Sequence, residues 1–179
     1  AVTIPSEIDG KPVVSIGEYA FLSCTGYDET ASSSYSLIIN IPETVTSIKE
    51  SAFFLSRIEN ITIPASVTSI GQNAFNSGYL KNIVIENPDC AIYSEDGYTF
   101  SNGSAVNIYG FADSTAAAYA ETYSKIFHEI EEINEDYLYR ELEDGTMEIV
   151  LFLQKSENIE IPSELDGKPV TSIADMAFY

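Results

Sequence analysis

Apolar positions recur along the chain in a fixed order. An Ile-Pro pair (Ile4-Pro5, Ile41-Pro42, Ile63-Pro64, Ile161-Pro162) is followed by a Ser-Ile step at Ile16, Ile48, Ile70 and Ile173, and then by Ala-Phe ending at Phe21, Phe53, Phe75 and Phe178. From Ile41 to Ile63 is 22 residues, and from Ile63 to Ile85 is 22 again. The strand of each period reads as Ile58-x-x-Ile61-x-Ile63 and Leu80-x-x-Ile83-x-Ile85, and Ile61 and Ile63 alternate with Asn60 and Thr62, the signature of a strand with one face buried. Stacked units predict one parallel sheet, with Val67, Ile70, Ala74, Phe75 and Leu80 filling the interior behind it. A single unit cannot bury that face, so its neighbours must.

The first unit is longer, 37 residues from Ile4 to Ile41. Five extra residues lie around the turn signal Asp9-Gly10-Lys11, and ten more fall within the polar stretch from Cys24 to Ser36, which reads as a loop. After Ile85 the Ile-Pro/Ala-Phe frame fades. Asp96-Gly97 and Asn102-Gly103 mark turns, Ala105 to Tyr109 reads as a strand, and Ala116, Tyr119, Ala120 and Tyr123 share one face of a helix over about 114–125 that Asp113 or Ser114 can cap. Tyr137 to Leu142 and Met147 to Leu153 read as a hairpin around Asp144-Gly145. The chain then begins again: residues 2–21 and 159–178 align at an offset of 157, with 13 of 20 positions identical. The expected divisions are therefore repeats at 1–86, a cap at 87–132, and a hairpin with the truncated first repeat of a second array at 133–179.

A 22-residue period falls in the length class of leucine-rich repeats. The string IPxSVTSIGxxAF followed by LxxIxI resembles the BspA-type leucine-rich repeat of bacterial surface proteins, over residues 2–86 and again over 159–178. The resemblance implies a β-rich repeat solenoid: a right-handed stack with a parallel sheet, a C-terminal cap containing one helix, then the hairpin and the start of the second array. It also implies an extracellular or cell-surface setting and, for some members, adhesion to host matrix or to other cells.

Composition sharpens this reading. Ile occurs 22 times and Leu 9, with 12 Tyr, a balance that suits strands. The net charge of −20 disfavours a nucleic-acid or anionic-membrane partner, which needs clustered Lys and Arg. No apolar run is long enough for a membrane span. No signal peptide is apparent, and a start at Ala1 rather than Met reads as a piece of something longer. Residues 129–148 hold nine acids against Arg140 alone. They lack the alternating order of a calcium loop and read as a solvated junction. The sole His, His128, has no nucleophile-elbow sequence to serve, and no phosphate loop or Cys/His metal spacing appears. Cys24 and Cys90 read as ordinary thiols. No enzyme activity, cofactor or metal is expected.

Two surfaces are candidates for a protein or glycan partner. One is the outward face of the sheet, with Asn40, Thr62 and Val84 in one row and Ile38, Asn60 and Asn82 beside it. The other is the insert carrying Tyr27 and Tyr35, since Tyr gives contact area at low entropy cost. The expected function is a non-catalytic extracellular interaction or adhesion module, the alternative being a spacer built of tandem modules. The two ends, residues 1–4 and 159–179, have complementary unfinished layers, which suggests head-to-tail self-association.

Overall fold

A computed structural model describes residues 2–28, 33–101, 105–130, 132–133, 137–152, 159–174 and 177–178. The expected turn at Asn102-Gly103 lies outside them. The chain divides into two compact units, Ala1–Glu129 and Ile130–Tyr179.

The first unit is a solenoid whose layers each give a short strand to two parallel sheets. One sheet stacks Asn60–Ile63, Asn82–Ile85, Asn107–Gly110 and Ile126–Glu129 in that order. The other stacks Ser15–Ile16, Ser47–Ile48, Ser69–Ile70 and Ala91–Ile92. Ser47 pairs with Ser69 and Asn60 with Asn82, so the 22-residue sequence period is also the pairing register. The stack continues past Ile85 although the sequence motif fades, because Ala91–Ile92 and Asn107–Gly110 still supply β-branched or aromatic residues at the strand positions.

At the front, Val2–Thr3 pairs with Ile39–Asn40, but in this sheet the strand pairing to the next layer is reduced, among the described residues, to a bridge between Leu37 and Ile58. The cause is one missing residue. Leu37-x-Ile39 stands where later units have Ile58-x-x-Ile61 and Leu80-x-x-Ile83, so both apolar residues can face inward only if the ladder between them breaks.

Behind the sheets runs a column of aromatic rings. Phe21, Phe53 and Phe75 stack with centroids 4.9 and 5.0 Å apart, and Phe100 and Tyr119 extend the column. The N–H groups of Phe21, Phe53 and Phe75 each donate to a carbonyl of the next layer, on Ala52, Ala74 and Thr99, at 2.7–2.8 Å. The residue before each Ala (Tyr19, Ser51, Asn73) adopts a left-handed turn with φ of 54–55°. This is a strained conformation for side chains other than Gly and Asn, and it recurs because the turn delivers the Phe to the column.

The helix Thr115–Thr122 closes this stack, with Ser114 as N-cap accepting from the Ala117 N–H, and it buries Ala116, Tyr119 and Ala120. Gly97, at φ 70°, lies directly under the Tyr123 ring, where a Cβ would come within 2.4 Å of a ring carbon. The Tyr123 hydroxyl donates to the Ser94 carbonyl.

The second unit is a five-stranded sheet in the order Glu132–Ile133, Tyr137–Glu141, Met147–Phe152, Lys168–Ile173, Glu164–Leu165. The first three strands are antiparallel, and Met147–Phe152 then runs parallel to Lys168–Ile173. Its core joins Tyr137, Tyr139, Met147 and Ile149 to Leu165 and Ala177.

Candidate interaction surfaces

The polar row of the first sheet is a ladder of amides. Asn82 Nδ2 donates to Asn60 Oδ1 at 2.7 Å, Asn107 Nδ2 donates to Asn82 Oδ1 at 2.9 Å, and His128 Nε2 lies 3.0 Å from Asn107 Oδ1. The His128 ring stacks on Tyr109 with centroids 4.6 Å apart. Parallel in-register pairing places the same side-chain type one strand spacing apart, close enough for each amide to donate to the one before it.

This corrects the outward face expected from alternation. Asn82 is only 2% exposed and Val84 is fully buried. Asn82 is held on both sides by amides, and Val84 lies between Thr62 and Tyr109 in the register. Alternation fixes which way a side chain points from the core, and water does not follow automatically on that side. Asn60 and Thr62 are half-buried, whereas Ile38 and Asn40 are exposed. Ile38 does not continue the Asn60–Asn82 row, because it sits in the shortened step where the ladder breaks. Asn107 and His128 also belong to the row, beyond the residues expected in it. Asn107 stands 25 residues after Asn82, so a strict 22-residue frame passes over it.

The insert of the first unit is a hairpin of its own, Gly26–Asp28 antiparallel to Ser33–Tyr35, with Tyr27 opposite Ser34 and Gly26 opposite Tyr35. Tyr27 and Tyr35 thus sit on its two strands, and their side chains lie outside the described residues.

A family model, the BspA type leucine-rich repeat region, matches residues 2–125 in six copies. The chain belongs to this family. Comparison with curated proteins and with solved structures gave no match. The six copies carry the BspA-type repeat through the helix, in keeping with strand stacking that continues past Ile85. A leucine-rich-repeat solenoid is typically a scaffold for protein interaction.

Burial governs three ionisable groups of the BspA-type array, Cys90, Tyr119 and Glu86. Cys90 occupies the place of Val45 and Val67: the N–H of each donates to the carbonyl three residues before, on Asn87, Pro42 and Pro64. Burial pushes its thiol up to about 11. The Tyr119 hydroxyl is likewise pushed up, to about 12, by burial at the end of the ring column. Glu86 is raised by burial, against the pull of the Ala65 N–H that it accepts. No helix among the described residues is long and apolar enough to cross a membrane.

Proposed function

We propose that this BspA-type array is a non-catalytic interaction module, exposed on a bacterial surface, that binds a protein or glycan through the hairpin of its first unit and the adjoining Ile38 and Asn40. The observation that carries this reading is the hairpin itself. Inner layers add at most three residues to the 22-residue period, from Asn82 to Asn107, and their polar row is tied up in amide–amide bonds. The first repeat departs furthest from the period, with an added hairpin followed by exposed Ile38 and Asn40. Insertions on a rigid scaffold are where recognition is commonly placed.

The test is adhesion of cells displaying the array to surfaces coated with matrix protein or glycan. Replacing Tyr27, Tyr35 and Ile38 together by Ala lowers adhesion at least about tenfold if these residues anchor the contact, with the fold preserved by circular dichroism. A second reading is favoured by the 157-residue repetition of a half-unit at 13 of 20 identities: the module is a spacer in a tandem series. On that reading the triple substitution leaves adhesion unchanged, and changing the number of modules alters only reach.

A further inference from the structure

Residues 2–21 and 159–178 share a sequence but lack opposite neighbours. In the array, Ile4 and Ile16 are 8% and 3% exposed, whereas Ile8 is 59% exposed and Ala20 is exposed. In the second copy the equivalents reverse: Ile161 and Ile173 are 48% and 46% exposed, while Leu165, at the place of Ile8, is 8% exposed and Ala177 is 2% exposed. The residues that bury Leu165 and Ala177 come from the hairpin 137–152.

That hairpin acts as a substitute solenoid layer. The Ala174 N–H donates to the Ile149 carbonyl at 2.8 Å, as the Lys49 and Gly71 N–H groups donate to Ile16 and Ile48 at 2.9 Å inside the array. The Phe152 N–H donates to the Ala177 carbonyl at 2.7 Å, matching Phe21 to Ala52 and Phe53 to Ala74. The Phe152 ring lies 5.6 Å from that of Phe178, where an inner layer would add its Phe to the column. Side chains complete the seat: the Tyr139 hydroxyl donates to Asp166 at 2.6 Å, Lys168 pairs with Glu141, and the Ser172 hydroxyl donates to Glu148 at 2.8 Å.

Apart from Ala174, which contributes only its backbone N–H and stands at the place of Gly17, the residues whose side chain, ring or carbonyl receives those contacts recur 157 positions earlier. Asp166, Lys168, Ser172, Ala177 and Phe178 correspond to Asp9, Lys11, Ser15, Ala20 and Phe21, none of which is fully buried. We infer that the rim formed by residues 2–22 is a ready-made docking site for a β-hairpin with the residue pattern of 137–152, supplied by another module of the same kind. Its second strand adds in parallel to Ser15–Ile16, its Ile carbonyl takes the Gly17 N–H, its Phe N–H reaches the Ala20 carbonyl, and its Tyr and Glu reach Asp9 and Lys11. This is strand addition to an open sheet edge, with specificity in the side chains. The Asp9-Gly10-Lys11 insert favours a hairpin over an ordinary solenoid layer. The inner units 41–53 and 63–75 stack without it, whereas the second copy uses its own insert to hold Tyr139 and Glu141.

The test extends the full chain by placing a copy of residues 130–158 directly ahead of Val2, the spacing that precedes Ile159. Amide exchange at Gly17 is expected to slow by about tenfold or more relative to the unextended chain, and the array's thermal midpoint to rise by about 4 °C or more. Asp9→Ala with Lys11→Glu should undo most of that protection in the extended chain while leaving the midpoint of the unextended chain unchanged. Unchanged Gly17 exchange on extension would overturn the proposal, as would full protection surviving the double substitution. Concentration-dependent protection of Gly17 in the unextended chain that survives Asp9→Ala with Lys11→Glu would overturn it too, because the rim would then be taking a second copy's open layer, which does not use those side chains.

Discussion

The layer around Phe53 and the layer around Phe21 have the same sequence plan and different surroundings. Phe53 is 1% exposed between two rings, whereas Phe21 has a ring on one side only and is half-buried. The apolar pattern therefore sets which residues can be buried, and the presence of neighbours on both sides sets which residues are. In a stack of this kind stability is close to a sum over layers and their interfaces, so equal substitutions in the two layers should have unequal effects.

The largest difference is expected in the aromatic column. Phe53→Ala removes a fully packed ring and should destabilise the array by about 3–5 kcal/mol. Phe21→Ala removes one interface instead of two and should cost about half as much on the same scale. Denaturant titration followed by tyrosine fluorescence or circular dichroism measures both. Equal losses would mean that the end layer is covered in solution.

Glycine gives the next contrast. A Cβ on Gly71 would lie 2.6 Å from the backbone N of Glu50, which cannot swing aside, whereas a Cβ on Gly17 meets nothing within 4 Å. Gly71→Ala should cost about 1–3 kcal/mol, as overpacking typically does. Gly17→Ala should stay within about 0.5 kcal/mol, and Ala174 already stands at its equivalent in the second copy. A thermal melt of each variant checks the pair.

The amide ladder offers a finer comparison, between its middle and its end. Asn82→Ala strips a partner from both Asn60 and Asn107, and should cost about 1–2 kcal/mol. Asn60→Ala unpairs one neighbour at a half-exposed position and should cost about 0.5 kcal/mol. If the two are equal, water replaces the lost amide as readily in the middle of the row as at its end.

These contrasts also mark how far the sequence could be read. The Ile-Pro, Ser-Ile and Ala-Phe positions declare the layers because each binds to its copy in the next layer at fixed spacing. The broken ladder between Ile39–Asn40 and Asn60–Ile63 is legible in principle, since one residue is missing between Leu37 and Ile39. Asn107 and His128 were hidden by an irregular step, and the burial of Asn82 and Val84 by the assumption that the side away from the core is wet. A Val at an outward position was the available signal. The hairpin 137–152 shares no repeat motif with the layer it imitates. Its likeness lies in backbone donors, in one carbonyl on Ile149 and in one ring on Phe152, and periodicity carries no trace of these.

The smallest effect separates the two thiols. Cys90 is fully buried at a position filled by Val in earlier layers, while Cys24, in the end layer, is half-buried. A thiol reagent on the folded protein should therefore modify Cys24 first and leave Cys90 until the array opens. The same burial has a thermodynamic face. An unfolded thiol ionises near 9 and the folded one near 11, so as pH rises through that window the unfolded state loses its proton first and gains stability relative to the folded state. The contribution is intact below about pH 9 and is lost progressively toward about pH 11. Cys90→Val keeps the shape, restores the residue used at 45 and 67, and should change neutral-pH stability by less than about 1.5 kcal/mol. It should also make the alkaline decline shallower than in the parent chain, leaving the part that comes from Tyr119. An unchanged alkaline slope in that variant would show that the thiol is not what the rising pH acts upon.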